Sequence, residues 1–492
     1  MRNVMNHRDM LDPNSIGDAV VTRPRFSSGL IRGLSLSLLA FGMIALGASV
    51  ATANPEPMPS IPDNVKEFDV DGIHVIMRPS GPANHVMVAK LFIRGGTSAL
   101  PEGVSPSVED LALAIPTLSG PKGMDRAAYQ RELQRMVTGI GPSSGRDFAT
   151  LTLRCVDENF DRSWELFTGV ILRPQFDEVE LRNSKERIIS GLRNRQINPE
   201  AYAGYLADSA FFYGHPYGRF AKEQDIPPID AAKLSEHYKR LFVKSRLLLV
   251  VVGNIDSADL RAKVAASLSR LPQGSYRDPV IPPPPNAKQQ MLIVRPPNDG
   301  RAVTNYIVAR YLAPNRTDSL YYPMMRLISF VSGSLFREVR IERNLSYAPD
   351  ADVTFANTSY GEISISTTLP DSAWRVAKGD VIDFFRDYVI KDEYMKSGLN
   401  SWITSNYMRE QTNESQANEL GKAKLYTGSW KNAFGVVEGV SSITSEQMNL
   451  AAQRYLKNFT IVIVGDPASI TRDEFLSVSA RPGTSGAGTS GE

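Results

Sequence analysis

Cysteine is almost absent from this chain of 492 residues, in which Cys155 is the single example. One cysteine excludes an intrachain disulfide and every metal site built from several cysteines. Cys155 lies in residues 150–156, where apolar and polar side chains alternate as they do in a strand. We therefore interpret Cys155 as a small buried side chain, which is the commoner role of an isolated cysteine.

Net charge is also nearly absent. The formal charge is +2 at pH 7, and the first 53 residues hold five arginines and three acidic residues, so the remainder of the chain is close to neutral. A chain without a basic excess offers no general attraction for polyanions, and we predict no nucleic-acid partner. No Gly-x-x-x-x-Gly-Lys motif occurs, so phosphate-loop nucleotide binding has no support.

Histidine is scarce, and four of the five residues, His74, His85, His215 and His237, follow residue 53. No two of these four lie four positions apart, so the helical zinc motifs H-E-x-x-H and H-x-x-E-H are both absent. A catalytic zinc needs about three protein ligands and one open position. We predict no metal cofactor in this chain, and we interpret His237 beside Glu236 as a surface pair.

Residues 1–53 have the features of an export signal. Three arginines precede an apolar run at 34–50, and Ala51-Thr52-Ala53 is a small-x-small cleavage site. The apolar run is short for a membrane span of about 20 residues. We predict a cleavable signal peptide, with cleavage after Ala53, and a periplasmic or secreted protein that keeps no stable membrane anchor. The alternative is an uncleaved anchor.

Proline-rich segments divide the rest of the chain. One stands at 54–64, and the other contains four consecutive prolines at 282–285 and would form an extended, semi-rigid linker. The last residues are rich in Gly, Ser and Thr, a composition that is typical of disorder. We predict a signal peptide at 1–53, a Pro-rich lead-in at 54–64, an N-terminal domain at 65–275, a linker at 276–288, a C-terminal domain at 289–470 and a disordered tail at 471–492.

The two predicted domains follow one plan, in which opening strands precede several helices and an apolar strand closes the unit. The closing runs are 247–252, before Gly253, and 460–464, before Gly465. An uninterrupted apolar run predicts a strand that is buried on both faces. We interpret the similarity as an internal duplication. The predicted fold class is α+β, with two duplicated α/β-sandwich halves, each a mixed or antiparallel sheet covered by helices, joined by the Pro-rich linker.

One segment of the second half carries candidate functional residues. Its apolar residues recur at helical spacing and predict a helix at about 334–343, after another at 318–331. Asn344 stands where the helix should end, because Asn tolerates the left-handed conformation of a helix terminus. Arg340 in the last turn and Tyr347 just beyond could together grip a peptide carbonyl. The alternative is an arginine favoured by the helix dipole beside a half-buried tyrosine.

Residues 335–347 read Leu-Phe-Arg-Glu-Val-Arg-Ile-Glu-Arg-Asn-Leu-Ser-Tyr. They resemble the L-F-x-E-x-R-x-x-x-x-L-x-Y segment in the C-terminal domain of the pitrilysin–insulinase family of zinc peptidases, the inverzincins. Phrases at 146–150, 212–218 and 237–240 also match in the family's order. The resemblance implies that both domains are peptidase-like and that Arg340 and Tyr347 bind substrate. It also suggests, more weakly, that the edge at Arg146 and Asp147 could pair with a substrate backbone.

The resemblance also implies where zinc should bind, namely at an H-x-x-E-H motif on a helix and at a downstream glutamate. One register, counted from Gly103, places Pro106, Glu109 and Asp110 at the His, Glu and His positions. This register supplies no pair of histidines, and Asp110 alone would be a weak site.

The register that we prefer aligns Gly120 with a later glycine of the family. It places Leu111, Ala114 and Ile115 at the His, Glu and His positions, and the downstream glutamate falls on Gly191. Apolar side chains cannot bind zinc. The N-terminal domain is therefore expected to lack the family's zinc ligands in either register.

The substrate-binding residues Arg340 and Tyr347 are retained, whereas the zinc ligands are missing. This combination suggests that substrate binding and zinc binding belong to different subunits. By resemblance, some family members are two-subunit enzymes in which one subunit carries zinc and the other the Arg/Tyr pair. We predict that this chain is a catalytically incomplete subunit of a heterodimeric periplasmic zinc peptidase, with a zinc-bearing homologous partner and a peptide substrate. The alternative is a non-catalytic peptide-binding or assembly protein derived from the peptidase fold. An autonomous hydrolase has no motif to support it.

Overall fold

The computed structural model describes residues 62–81, 83–280, 282, 288–296, 304–396 and 398–476. The predicted signal peptide, the lead-in before residue 62, most of the proline run of the linker and the tail after residue 476 lie outside the described residues. Among those that are described, no helix combines the length and the apolar character needed to cross a bilayer.

The first half is built on a six-stranded sheet with the strand order β1-β2-β6-β3-β5-β4. Strands β2 and β6 are parallel, and the other neighbours are antiparallel. A two-residue turn joins β1 to β2 at Asp71 and Gly72, whose φ angles of 49° and 84° are those that such a tight hairpin requires. The strands are β1 (Lys66–Val70), β2 (Ile73–Pro79), β3 (Val86–Arg94), β4 (Gly139–Ser144), β5 (Phe148–Val156) and β6 (Leu247–Gly253).

Helices of the first half cover one face of this sheet. Leu111 and Phe167 from these helices pack with Leu249 and Val251 of β6 in one apolar core. Every residue of β6 is buried, as its uninterrupted apolar run predicts. The first half contains the helices α1 (Ser107–Ser119), α2 (Arg126–Arg135), α3 (Phe160–Leu172), α4 (Glu178–Ile197), α5 (Pro199–Phe211), α6 (Ala231–Leu241) and α7 (Ser257–Ala266), of which α5 does not lie on this face.

The second half repeats the arrangement. Its sheet has the order β7-β11-β8-β10-β9, with β7 and β11 parallel and the other pairs antiparallel. This is the order and direction of β2-β6-β3-β5-β4, so the predicted duplication of mixed, helix-covered halves is confirmed. The strands are β7 (Gln290–Val294), β8 (Asn305–Leu312), β9 (Asp350–Thr354), β10 (Tyr360–Thr367) and β11 (Thr460–Val464).

Two helices of the second half continue into π-helical segments, at Phe336–Glu342 and Ala377–Asp383. The first of these follows α8 without a break, so the two helices predicted at 318–331 and 334–343 are one. The helices are α8 (Tyr321–Leu335), α9 (Pro370–Val376), α10 (Phe384–Asp387), α11 (Asp392–Lys396), α12 (Leu399–Arg409), α13 (Asn413–Thr427), α14 (Val436–Ser441), α15 (Ser445–Tyr455) and α16 (Arg472–Leu476).

The halves exchange one helix each. Helix α5 of the first half lies on the second sheet, where Ala203 and Ala207 pack against Val462. Helix α13 of the second half lies on the first sheet, where Leu420 packs against Val250. Each sheet is therefore covered on one face by its own helices and on the other by a helix of the opposite half. Separating the halves would expose apolar surface on both sheets.

Candidate functional site

The end of the α8 helix fixes the backbone of Arg340. Asn344 has a φ of 48°, so the predicted left-handed residue at this helix end is confirmed. The Asn344 N–H donates to the Arg340 carbonyl at 3.1 Å, and the Leu345 N–H donates to the Val339 carbonyl at 2.8 Å. Val339 is fully buried. Arg340 therefore starts from a backbone that is held by capping bonds and by the core.

The structure brings Arg340 and Tyr347 together. The Arg340 Cζ atom lies 4.2 Å from the centroid of the Tyr347 ring and 4.9 Å from that of Phe336. These distances are those of cation–π contacts. Tyr347 is 74 % exposed rather than half-buried, so its ring stands in solvent under the guanidinium. Phe336 was not predicted as part of the site, although its i, i+4 spacing from Arg340 on a helix indicates the contact.

The carboxylates of Glu338 and Asp380 near Arg340 are bound by other arginines. Glu338 accepts from Arg343 at 2.7 Å and from Arg337 at 2.9 Å. The hydrogen bond from Arg343, followed by that from Arg337, holds the pKa of Glu338 below its usual value despite some loss of solvation. Arg343 also binds Asp380 at 2.7 Å. Within the described part of the chain, the Arg340 guanidinium has no hydrogen bond or ion pair, so its N–H donors can bind a ligand.

The positions of the preferred zinc register hold no ligand. Leu111 and Ile115 are buried in the core of the first half, and Ala114 is half-buried on the same helix. Gly191 lies on α4 with open space where a side chain would stand. Across the ranges that the structure describes, no three His, Cys, Asp or Glu side chains lie close enough to hold a metal ion.

The register counted from Gly103 holds one buried acid. Glu109 is fully buried on α1, and its Oε2 atom lies 3.7 Å from Nε2 of His237 on α6. The interpretation of His237 as a surface partner of Glu236 is wrong, because Glu236 accepts from Arg240 at the surface and His237 faces Glu109. Sequence reasoning missed this pair because its members lie far apart in the chain.

Arg146 and Asp147 lie where the halves meet. Arg146 donates to Tyr360 Oη at 3.0 Å and to Asp208 Oδ2 at 2.9 Å. The carboxylate of Asp147 accepts from the Asn357 N–H at 2.9 Å and from Tyr426 Oη at 2.9 Å. The backbone carbonyls of Arg146 and Asp147 already accept from the N–H groups of Ser98 and Gly95, at 2.9 and 2.8 Å. Strand pairing of a substrate at these two residues, which the resemblance suggested, would compete with these bonds.

The interpretation that no hydrolase motif occurs is wrong as far as the pattern goes, because residues 141–145, Gly-Pro-Ser-Ser-Gly, read G-x-S-x-G, the pattern of a nucleophile elbow. That motif needs a strand-to-helix turn. Here the residues span β4 and its tight connection to β5, where the Gly145 N–H donates to the Phe148 carbonyl at 3.0 Å. The pattern therefore does not mark a serine hydrolase site.

Comparison with known proteins finds similarity to peptidases. A family model described as "Peptidase M16 inactive domain" matches residues 228–396, which include Arg340 and Tyr347. An uncharacterized zinc protease of Mycobacterium leprae is 22% identical over 338 residues, which cover 64% of this chain and 72% of that protein. The matched residues of the family model do not include helix α1.

Solved structures share the fold. A peptidase M16 inactive domain from Pseudomonas fluorescens has a TM-score of 0.74 and 20% identity, covering 82% of this chain and 98% of that chain. The periplasmic protease PqqL from Escherichia coli has a TM-score of 0.69 and 13% identity, covering 87% of this chain and 49% of that chain. At these identities the likeness concerns the fold alone.

Proposed function

Since the chain belongs to the pitrilysin–insulinase (M16) family of peptidases, as a member of the kind without zinc, we propose that it is the substrate-holding subunit of a heterodimeric peptidase. A homologous subunit carries the zinc. This chain contributes Arg340 and Tyr347, which hold the peptide near the metal of the partner. The chain alone is not an independent peptidase.

The observation that carries the proposal is the unpaired guanidinium of Arg340, stacked on the exposed ring of Tyr347. A guanidinium presents several N–H donors in one plane, and the phenol adds an O–H donor beside it. Together they can donate to the carbonyl of the scissile peptide bond. Charge-assisted hydrogen bonds to that oxygen become stronger as it gains negative charge during attack by a zinc-bound water.

Helix α1 supports the assignment of zinc to the partner subunit. In the preferred register its zinc positions hold Leu111, Ala114 and Ile115, and the first and last of these belong to the apolar core. Replacing them with ligands would remove core contacts as well as add polar groups. The water-activating step is therefore assigned to the partner.

We place the protein in the periplasm. The support is the export signal predicted at 1–53, with cleavage after Ala53, and the description of the Escherichia coli relative as periplasmic. We also keep the domain limits given above, with a peptidase-like domain at 65–275 and another, bearing the Arg/Tyr pair, at 289–470, with one change. Helix α16 extends the second domain into the predicted tail at 471–492, because its Phe475 is fully buried in the core of the second half.

The test is to coexpress the chain with a zinc-bearing homologue from the same genome and to assay the purified complex on a peptide library. We expect the complex to cleave peptides, and each subunit alone to cleave them poorly. Arg340→Ala should lower kcat/KM about a hundredfold while leaving the complex assembled.

The matched control is Arg337→Ala, because Arg337 lies on the same segment but is engaged by Glu338. It should leave kcat/KM within about twofold of the unmodified complex. Equal activity of the Arg340→Ala complex and the unmodified complex would remove the proposed role. Peptide binding without cleavage in any pairing would favour the non-catalytic peptide-binding protein instead.

A further inference from the structure

A groove of about 1090 Å³ lies in the outer helical layer of the first half, far along the chain from Arg340. All of its lining residues come from the first half. They lie on the loop that precedes α2, on α3 and the loop after it, and on α7 with the turn that follows. We name it the α3–α7 groove, and the residues that matter below are Lys122, Trp164, Arg173 and Arg270. The proposed function uses none of them.

The α3–α7 groove is positively charged. Its lining holds Lys122, Arg162, Arg173, Lys263 and Arg270, against Asp161 and Glu165. Two of these cations are already paired, because Arg162 binds Glu165 at 2.7 Å and Lys263 binds Asp161 at 2.5 Å. The side chains of the other three have no ion pair or hydrogen bond among the described residues. The unpaired lining charge is therefore positive, in a chain that is otherwise close to neutral.

An indole ring adds apolar surface to this groove. Trp164 is 4 % exposed, lines the groove, and packs between the rings of Phe160 and Phe167. Its Nε1 atom is buried and has no acceptor in the described part of the chain. Because that atom is also closed to solvent, an occupant of the groove meets the ring as apolar surface and not as a hydrogen-bond donor.

We infer that the α3–α7 groove binds an acidic, partly apolar peptide segment of another protein. Carboxylates of the segment would pair with Lys122, Arg173 and Arg270. Apolar lining residues such as Met124 and Leu172 would receive the segment's apolar side chains. This inference stands independently of the peptidase proposal, because it uses a different half of the chain and different residues.

Other polyanions fit less well. A nucleic acid needs a broad basic surface along which it can lay many phosphates, and here three unpaired cations surround one groove. A membrane surface needs exposed apolar side chains that can enter the lipid, whereas Trp164 and Leu166 of this groove are buried. A groove with both charges and an apolar floor matches a peptide.

The experiment uses the full chain and a fluorescein-labelled dodecapeptide of alternating glutamate and leucine, followed by fluorescence anisotropy. A lysine–leucine peptide of the same length is the charge control. We expect the acidic peptide to bind at least about tenfold more tightly than the basic one, and its affinity to fall as salt is added.

Three variants locate the binding. The triple variant Lys122→Glu, Arg173→Glu, Arg270→Glu should weaken binding of the acidic peptide about tenfold or more, because the new carboxylates repel it. The matched control reverses three exposed cations elsewhere, Arg182→Glu, Lys431→Glu and Lys457→Glu, and should retain most of the affinity. Trp164→Phe keeps an aromatic ring and removes only an N–H that is closed to solvent, and should leave the affinity within about twofold of that of the unmodified chain.

Circular dichroism of each variant shows whether it folds, and the single reversals replace the triple variant if it does not. Equal affinity of the triple variant and the unmodified chain would overturn the inference, as would equal binding of the acidic and basic peptides. Displacement of the acidic peptide by a single-stranded oligonucleotide or by anionic phosphatidylglycerol vesicles at matched charge would assign the groove to those ligands and also overturn it.

Discussion

The Asp208 carboxylate lies 2.8 Å from the guanidinium of Arg310, and this contact joins helix α5 of the first half to β8, the central strand of the second sheet. Asp208 also binds Arg146 at 2.9 Å, next to the first sheet. The side chains of Arg310 and Asp208 are 3 % and 11 % exposed, so this ion pair is largely shielded from solvent between the two halves. One carboxylate from the exchanged helix therefore links both sheets.

We predict that Asp208→Ala destabilises the protein by about 3 kcal/mol, because it leaves two poorly solvated guanidinium groups with fewer compensating charges. Arg310 keeps the Glu362 carboxylate as a second partner. Arg146 keeps the Tyr360 hydroxyl but loses its carboxylate partner among the described residues. The measurement is the free energy of unfolding from urea titration. The control is Asp161→Ala, because the Asp161 side chain is 83 % exposed where it pairs with Lys263, and a change of about 0.5 kcal/mol or less is expected. Similar losses in the two variants would show that the link contributes little.

The hydroxyl of Tyr347 and its ring have separable roles in the proposed complex. Tyr347→Phe keeps the ring that faces Arg340 and removes the O–H donor, so we expect about a tenfold loss of kcat/KM, equivalent to one hydrogen bond. Tyr347→Ala also frees the guanidinium to move, and should cost several times more.

The readout is steady-state kinetics of the coexpressed complex, with the unfolding midpoint of each variant measured alongside. Tyr347 is largely exposed, so neither change should alter the midpoint noticeably. Equal kcat/KM for the Phe and Ala variants would mean that the ring does not position Arg340.

Much of the fold was predictable because it depends on local patterns. The apolar runs that became β6 and β11 specify buried strands, and Asn344 specifies the end of a helix. Residues 335–347 place Arg340 in the last turn of the helix and Tyr347 just beyond its end, so a contact between them was one of two open interpretations. The other was an arginine favoured by the helix dipole beside a half-buried tyrosine. Duplication was visible because each half closes in the same way.

The exchanged helices were not predictable in this way. Helix α5 presents Ala203 and Ala207 to the second sheet, and small side chains give little contrast in a hydrophobic pattern. Its partner strands belong to the other half, so no local rule connects them. The Glu109 and His237 pair has the same cause, since its residues meet only after α1 packs against α6. Such contacts depend on the tertiary structure rather than on sequence spacing.

Zinc content gives a direct test of the first half. We expect the purified chain to carry far less than one zinc ion after dialysis, measured by plasma mass spectrometry, because Leu111, Ala114, Ile115 and Gly191 supply no ligand. A chelator should leave its unfolding midpoint unchanged, whereas it should abolish the activity of the complex with a zinc-bearing subunit. One tightly bound zinc per chain would contradict the proposed division of labour.

Helix α13 contacts the first sheet through Gly421, and this close contact predicts that a larger side chain at residue 421 lowers the stability of the protein. A Cβ atom at residue 421 would stand 2.2 Å from the ring of Phe92, which is fully buried and cannot swing away. We therefore expect Gly421→Ala to destabilise the protein by about 1–3 kcal/mol through overpacking.

The matched control is Gly191→Ala on α4, where nothing lies within 4 Å of the added carbon. That change should stabilise the protein by up to about 1 kcal/mol, because alanine favours the helix over glycine. Opposite signs in urea unfolding would establish that the cost at residue 421 comes from the contact between the halves and not from helix propensity. If Gly421→Ala is also stabilising, α13 does not pack closely on the first sheet in solution, and the helix exchange that joins the two halves is wrong.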